Sequence, residues 1–444
     1  MKAIVAGGGP VGIFTAIALG RRGHEVTVVD RDPGPQSAGE WRRAGVMQFE
    51  HAHGWRPQVI EALRAEMPDV LDALLEAGAR LERLPGLPGI EALACRRPVL
   101  ERVLRRCARQ EPGLRWRTGH VDRVDVTDGR ATGVTVDGEH LDADIVVVAT
   151  GRTTRLGNEL RGPVEGGACG FSYVTRVYQA QPGVSAYDGF PSFQTGPGYV
   201  SVVIGGDATT HQVVIAYPTH DPAYDALRTN AGFDTAAHLI PNLSHWTDPD
   251  QFEPVTDVLV GGNLTNTYRC QGPALGLPPA TGLFFVGDAV LTTNPAAGRN
   301  LALLIPHVRQ LLASLDDPHQ DLDDVSLALD TWAEQHVRPW YLDHVRWDRT
   351  LLERFEGHDI DLDDRLPSDV ICAAAEADAN LRPYAGMYFG MVAGPDVLDA
   401  AEPRVRELLA EGWRPAAPGP SRAALADALH VLADRVAPPN LVNN

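Results

Sequence analysis

The chain has 444 residues, 44% hydrophobic and 22% charged, with a formal net charge of −19. That composition excludes a disordered chain and supports a large core shared by more than one lobe. The acidic balance excludes a nucleic-acid surface, which needs clustered Lys and Arg to release counterions.

Five cysteines, Cys95, Cys107, Cys169, Cys270 and Cys372, are scattered without a close pair. Neither a disulfide framework nor a C-x-x-C zinc site is expected, and no metal site is assigned. The apolar N-terminus is broken by glycines and lacks a small-residue cleavage end, and no later stretch is long enough to span a bilayer. The expectation is a cytoplasmic protein without membrane or nucleic-acid partners.

In chain order, residues 3–6 read as a buried strand, Gly7-Gly8-Gly9-Pro10-Val11-Gly12 as a loop, residues 13–20 as a helix closed by Gly23, and residues 25–30 as the next strand. This is a βαβ opening. Residues 57–79 show helical spacing with Pro68 as a break. Residues 97–110 predict a second helix with Leu100, Val103, Leu104 and Cys107 on one side. Strands follow at 124–126, 131–136 and 145–149, with Asp128-Gly129 and Asp137-Gly138 as turns. Residues 170–262 are β-rich, with alternation at 171–178 and with 199–204 answered by 212–217, which predicts an antiparallel substrate-facing lobe. From residue 301 to the end the pattern is helical, and there is no internal repeat.

The first loop has a physical reading of its own. Gly7-x-Gly9-x-x-Gly12 lies between strand and helix, and Asp30 ends the second strand. The glycines allow a tight turn and close approach of a pyrophosphate to the helix N-terminus, and Asp30 can accept from a ribose hydroxyl. This predicts dinucleotide binding without choosing between FAD and NAD.

A second loop chooses. The apolar run 283–286 leads to Gly287-Asp288, then to Pro295-x-x-Gly298 and a helix from Arg299. A helix start leaves N–H donors unsatisfied, and its dipole favours negative charge placed against it. This segment resembles the second FAD motif of the flavoprotein monooxygenases related to p-hydroxybenzoate hydroxylase. Arg97-Pro98-Val99-Leu100-Glu101 looks like that family's (Arg/Gln)-x-x-Leu-Glu helix start. The segment at residues 41–48, with His51 and His53 behind it, looks like the one that follows the second strand in some bacterial members.

The resemblance implies a Rossmann-like α/β FAD-binding domain of the GR2 type at residues 1–160 and 270–320, a β-rich substrate lobe at 161–269 and a helical C-terminal region at 321–444. It implies Asp288 on the ribityl chain, an Arg97 fork suited to diphosphate oxygens, and Arg43 on the cofactor. The full set of candidate FAD contacts is Gly7, Gly9, Pro10, Val11, Gly12, Asp30, Arg31, Arg43, Arg97, Val121, Thr150, Gly151, Gly287, Asp288, Pro295, Gly298, Arg299 and Asn300.

For the chemistry, Thr293, Asn294 and Pro295, with Thr292, are expected near the flavin edge, and His51 or His53 is the candidate base for a phenolic substrate. The activity implied is FAD-dependent monooxygenation, hydroxylating or epoxidising an apolar or aromatic small molecule through a flavin C4a-(hydro)peroxide formed from O2, with secondary metabolism as its expected setting. The alternative is an FAD-dependent dehydrogenase or C=C reductase.

The chain departs from the family pattern in two places. Thr150, in Ala149-Thr150-Gly151-Arg152, replaces an aspartate associated with NAD(P)H docking. Similar variants occur in epoxidases and in styrene monooxygenases, which take reduced flavin from a separate reductase. NAD(P)H is therefore expected as electron source either directly or through such a partner. Asn300 stands where the family commonly has glycine. Flavin-dependent halogenases share the fold but depend on a tunnel lysine and a Trp-x-Trp-x-Ile-Pro segment; neither is present, and the only lysine is Lys2.

Overall fold

The computed structural model describes residues 1–36, 41–43, 45–84, 87–272, 276 and 280–436. Strand β1 (Lys2–Ala6), helix α1 (Pro10–Arg21) and strand β2 (Glu25–Asp30) open the chain. Pro10 sits at the start of α1, where its missing N–H costs nothing, so the helix begins three residues before the periodicity placed it. Pro68 does divide the next helical stretch, into α2 (Pro57–Glu66) and α3 (Pro68–Glu76). A short hairpin, β3 (Arg80–Arg83) and β4 (Glu91–Ala94), precedes α4 (Arg97–Gln110) and β5 (Leu114–Thr118). Strands β6 (Val121–Thr127), β7 (Arg130–Val136) and β8 (Glu139–Asp142) form an antiparallel meander. Its two turns place Asp128 and Asp137 at φ 48 and 50, each followed by a glycine at positive φ, which is the hairpin chemistry the sequence announced. Strand β9 (Ile145–Val148) is buried at every position.

Strand β10 (Glu165–Ala168) leads into the sheet lobe: β11 (Phe171–Ala180), β12 (Ser192–Gly196), β13 (Tyr199–Gly205), β14 (Thr210–Pro218), helices α5 (Asn230–Leu239) and α6 (Pro241–Ser244), then β15 (Phe252–Pro254) and β16 (Leu259–Gly261). The lobe order is β12-β13-β14-β11-β15, antiparallel throughout, with β16 also pairing with β11. Alternation in β11 predicts one wet face, yet nine of its ten residues are buried. The reason is cover on both sides. Val174 and Tyr178 pack toward Phe233 of α5 and Leu425 and Leu429 of the last helix. Phe171 and Tyr173 face a second cluster with Ala297, Trp347 and Leu351.

The chain then returns through β17 (Thr265–Tyr268), β18 (Leu283–Phe285) and β19 (Leu291–Thr292). Strands β10, β17 and β19 make a small antiparallel sheet that ties the lobe to the second loop. Strand β18 completes a five-stranded parallel sheet ordered β18-β9-β1-β2-β5. Unbroken apolar strands such as β9 suit a parallel sheet covered on both faces, and each fully buried Val or Ile contributes ~1.5–3 kcal/mol.

Helices α7 (Asn300–Asp316), α8 (Leu322–His336), α9 (Arg338–Phe355), α10 (Ser368–Ala373), α11 (Arg382–Phe389), α12 (Glu402–Ala410) and α13 (Arg422–Val436) complete the molecule. Helix α8 starts in a capping box formed by Asp321 and Asp324. The architecture is a Rossmann-like parallel sheet, an antiparallel lobe and a helical C-terminal region. Among the described residues no helix is long and apolar enough to cross a membrane.

Candidate active site

The first loop shows why its glycines are glycines. Gly7 has φ +109, and a Cβ there would stand 2.3 Å from the Ala149 carbonyl oxygen. A Cβ on Gly12 would stand 1.9 Å from the Gly7 carbonyl oxygen, so only glycine lets α1 approach the strand end. Gly9 is extended and caps α1 without a side-chain bond, leaving the first-turn N–H groups for a ligand. The Gly8 N–H donates to Asp30 Oδ2.

A buried ion chain runs from here across the site. Arg43 donates to Asp30 at 2.5 Å and to Glu101 at 2.7 Å, and Arg97 Nε donates to the other Glu101 oxygen at 2.6 Å. Arg105 lies between the rings of Trp41 and Trp116 and donates to the Gly8 carbonyl. Sequence reasoning did not single out Arg105, although Arg97, Glu101 and Arg105 recur at four-residue spacing on one face of α4, which was the available signal.

Around this chain lies an open groove of about 690 Å³. Gly7, Gly9, Pro10, Val11 and Gly12 line it from the first loop; Asp30, Arg31, Arg43 and Arg97 line it from beyond the end of β2 and the start of α4. Val121, Thr150 and Gly151 add a third wall, and Gly287 and Asp288 of the second loop add a fourth. Burial pushes the Asp288 carboxyl up, opposed by Arg97, Arg152 and the Asn300 amide. The close-approach glycines, an uncapped helix start, several arginines and a half-buried carboxyl fit an adenine dinucleotide with a ribityl chain.

The second loop is held from beneath. Asn294 accepts from the Ala296 N–H, and Gly298 takes φ +60 to turn the chain into α7. Thr293 donates to Asn300 Oδ1 at 2.6 Å, and Thr292 shares hydrogen bonds with Thr267 and Thr265. Asp348 of α9 accepts from Asn294 at 3.0 Å and from Asn266 at 2.7 Å, while Asn266 accepts from the Asn294 N–H. Burial holds the Asp348 carboxyl up at about 7 against the pull of those two amides and Arg299. The side chains of Thr293 and Asn294 are thus engaged in holding the loop.

Several sequence candidates lie outside the groove. The Arg299 side chain turns into the C-terminal helices, donating to Asp343 and Tyr388 and packing on the rings of Trp340, Trp347 and Tyr388. His51 is buried with Nδ1 against Thr175 at 3.0 Å, and burial pushes it down to about 4. His53 stacks on Trp55 with Nδ1 against the His51 carbonyl; desolvation and the Arg97 charge push it down to about 3. Both rings are neutral at pH 7 and engaged by their neighbours. Pro295 begins the loop's helical turn, between Asn294 and Ala297.

Beyond the second loop is a separate apolar cavity of about 260 Å³. Its walls come from Trp55 and Arg56 at the start of α2, Glu82 and Leu93 of the hairpin, and Phe193 and Ile204 of the sheet lobe. Residues 296–299, Trp347 and Phe389 close it. Arg56 donates to the carbonyls of Ala297, Gly298 and Phe389, and burial pushes it down to about 9. Arg56, Glu82, Trp347 and Asp348 were not legible in the sequence, because they come from three separate stretches, ahead of α2, on β3 and on α9, and none belongs to a periodic motif. Among the described residues no cluster of His, Cys, Asp or Glu is arranged to hold a metal.

Comparison with known proteins agrees with this geometry. Residues 2–101 match the family described as FAD dependent oxidoreductase. A D-amino acid dehydrogenase from Sinorhizobium medicae is 46% identical over 55 residues, 12% of this chain and 13% of that protein, so the match spans a small part of its length. The flavin-dependent brominase Bmp2 shares the fold with a TM-score of 0.64 at 14% identity, covering 98% of this chain and 100% of that one. The p-nitrophenol 4-monooxygenase PnpA from Pseudomonas putida DLL-E4 has a TM-score of 0.58 at 15% identity, covering 91% and 97%. The family match is thus confined to residues 2–101, and the chain adopts a fold that flavin-dependent enzymes share.

Proposed function

We propose that the protein is an FAD-dependent monooxygenase that hydroxylates or epoxidises a small apolar or aromatic molecule. One observation carries the reading: two chain segments wall both the dinucleotide groove and the apolar cavity. Residues 45–48 line the groove and 54–56 the cavity; Gly287, Asp288 and Leu301 line the groove and residues 296–299 the cavity. A ligand in the cavity therefore sits across one loop from the cofactor site.

In this reading Gly7, Gly9, Pro10, Val11 and Gly12 hold the pyrophosphate, Asp30 and Arg43 the ribose, Arg97 the diphosphate edge and Asp288 the ribityl hydroxyls. Bound and reduced, FAD supplies oxygen activated from O2. The chain supplies a dry enclosure, in which Trp55, Phe193, Ile204 and Phe389 exclude water that would otherwise consume the oxidant. A halogenase reading lacks its lysine: Lys2 is exposed at the start of β1 and paired with Asp142. The dehydrogenase reading has the short D-amino acid dehydrogenase match in its favour, but a zwitterionic substrate would find mostly apolar walls.

Rapid mixing of the reduced holoprotein with O2 tests the proposal. A transient absorbing species distinct from oxidised and reduced flavin is expected, together with oxygenated product when substrate is present. Slow, single-phase reoxidation without such a species overturns it in favour of the dehydrogenase. Electrons come from NAD(P)H, directly or through a partner reductase, and anaerobic bleaching by NADH or NADPH alone distinguishes the two routes.

A further inference from the structure

Among the described residues lining the apolar cavity, Glu82 is the one acidic side chain. It is 3% exposed, and its Oε1 has no hydrogen-bond partner. A buried acceptor left unsatisfied costs ~1–3 kcal/mol, so the fold holds this oxygen at a loss until something donates to it. The neighbouring strand leaves it room: a Cβ on Gly205 would stand 2.1 Å from Glu82 Oε1. Burial pushes the carboxyl up to about 7, with Arg80 and the Gly189 amide opposing and Asp188 adding to the rise. The cavity's two cations are already engaged, Arg56 by three backbone carbonyls and Arg299 by Asp343 and Tyr388. A molecule entering the cavity thus meets apolar walls and the Glu82 carboxyl, whose Oε1 is lodged against Gly205 of β13. The volume of about 260 Å³ lies near the ~300 Å³ at which small-molecule sites begin, which limits the occupant to one or two rings.

We propose that Glu82 sets substrate specificity: the substrate is a one- or two-ring aromatic compound carrying an O–H or N–H group, and it donates that hydrogen to the Glu82 carboxyl. This rests on the cavity being the substrate site, as proposed above. The carboxyl then orients the ring against residues 296–299 of the second loop and rejects isosteric compounds that lack the donor, because these leave the buried carboxyl without one.

The test uses the flavin-loaded full chain and two matched probe pairs: β-naphthol with its methyl ether, and indole with N-methylindole. Dissociation constants come from calorimetry and from perturbation of the flavin absorbance. In the wild type the donor-bearing member of each pair binds about tenfold tighter, the equivalent of one hydrogen bond. Glu82→Leu brings each pair to within about twofold while the methylated probes bind as before; Glu82→Gln, which keeps an acceptor, retains part of the gap. Equal binding within the pairs in the wild type, a gap that survives in Glu82→Leu, or no binding by either pair overturns the inference. If Glu82→Leu does not retain flavin, the wild type and Glu82→Gln decide. A gap that collapses in Glu82→Leu in a protein that fails the O2 experiment supports this site and overturns the monooxygenase reading alone.

Discussion

Asp348→Asn tests the buried polar seat of the second loop. Asp348 lies on α9, 5% exposed, and its two oxygens accept from the amides of Asn266 and Asn294. Its carboxyl is held up at about 7, against ~3.9 in an unfolded chain. A folded pKa above the unfolded value means the contribution to stability is fully present below pH ~4 and is lost as pH rises through about 7. The whole loss is ~4 kcal/mol, at about 1.36 kcal/mol for each pH unit between the two values, and ~2 kcal/mol of it falls between pH 5.5 and 8. Asparagine cannot ionise, so the variant escapes this loss. It also turns one amide N–H toward another, at a roughly pH-independent cost of ~1–3 kcal/mol. The stability gap between wild type and variant should therefore move by ~2 kcal/mol in the variant's favour between pH 5.5 and 8. At ~2.1 cal/mol/K per residue of unfolding entropy this is about 2 °C in Tm, read by calorimetry of both proteins at both pH values. A gap that stays constant within half a degree refutes the placement of a raised carboxyl beneath the loop.

Three further outcomes are expected. Gly9→Ala and Gly12→Ala should separate fold from ligand: the Gly9 Cβ has nothing nearer than Arg43 at 3.6 Å, whereas the Gly12 Cβ meets backbone at 1.9 Å. Gly9→Ala should keep the apoprotein Tm and lose flavin affinity, and Gly12→Ala should lose both, with ~1–3 kcal/mol of destabilisation; equal behaviour in absorbance and melting assays counts against the pyrophosphate assignment. His307 is fully buried with both ring nitrogens unpartnered and is pushed down to about 4 by burial. Its stability contribution is present above pH ~6.5 and lost as pH falls toward about 4, so His307→Leu should flatten the acid limb of a Tm–pH profile by up to ~3 kcal/mol. Asn300→Gly removes the bond from Thr293 and the amide that steadies Asp288; FAD titration of the apoprotein should show about tenfold weaker binding, and an unchanged Kd makes Asn300 neutral.

Local physics made the first loop and the strand end beside it readable. A glycine at positive φ and an aspartate after a β-branched strand each constrain their own few residues, so Gly7 and Asp30 could be placed from spacing alone, whereas Pro10, read as loop, opens α1. The DG turns of the meander were legible for the same reason. The polar stripe Arg97, Glu101 and Arg105 lay within reach of the same reasoning, since four-residue spacing on a helix is also local.

What only the tertiary structure decided is what faces what. The family resemblance put Arg299 among the flavin contacts, yet its guanidinium is drawn into an aromatic cage of Trp340, Trp347 and Tyr388 that the C-terminal helices bring. Alternation in β11 announced a wet face, but α5, α13 and α9 cover both sides. The apolar cavity gathers side chains from residues 54 to 390, and Glu82 stands in a four-residue strand too short to carry any periodic signal. Such a site is set by which elements pack together, because burial and the lack of a partner are properties of the assembled core and of no single stretch of chain.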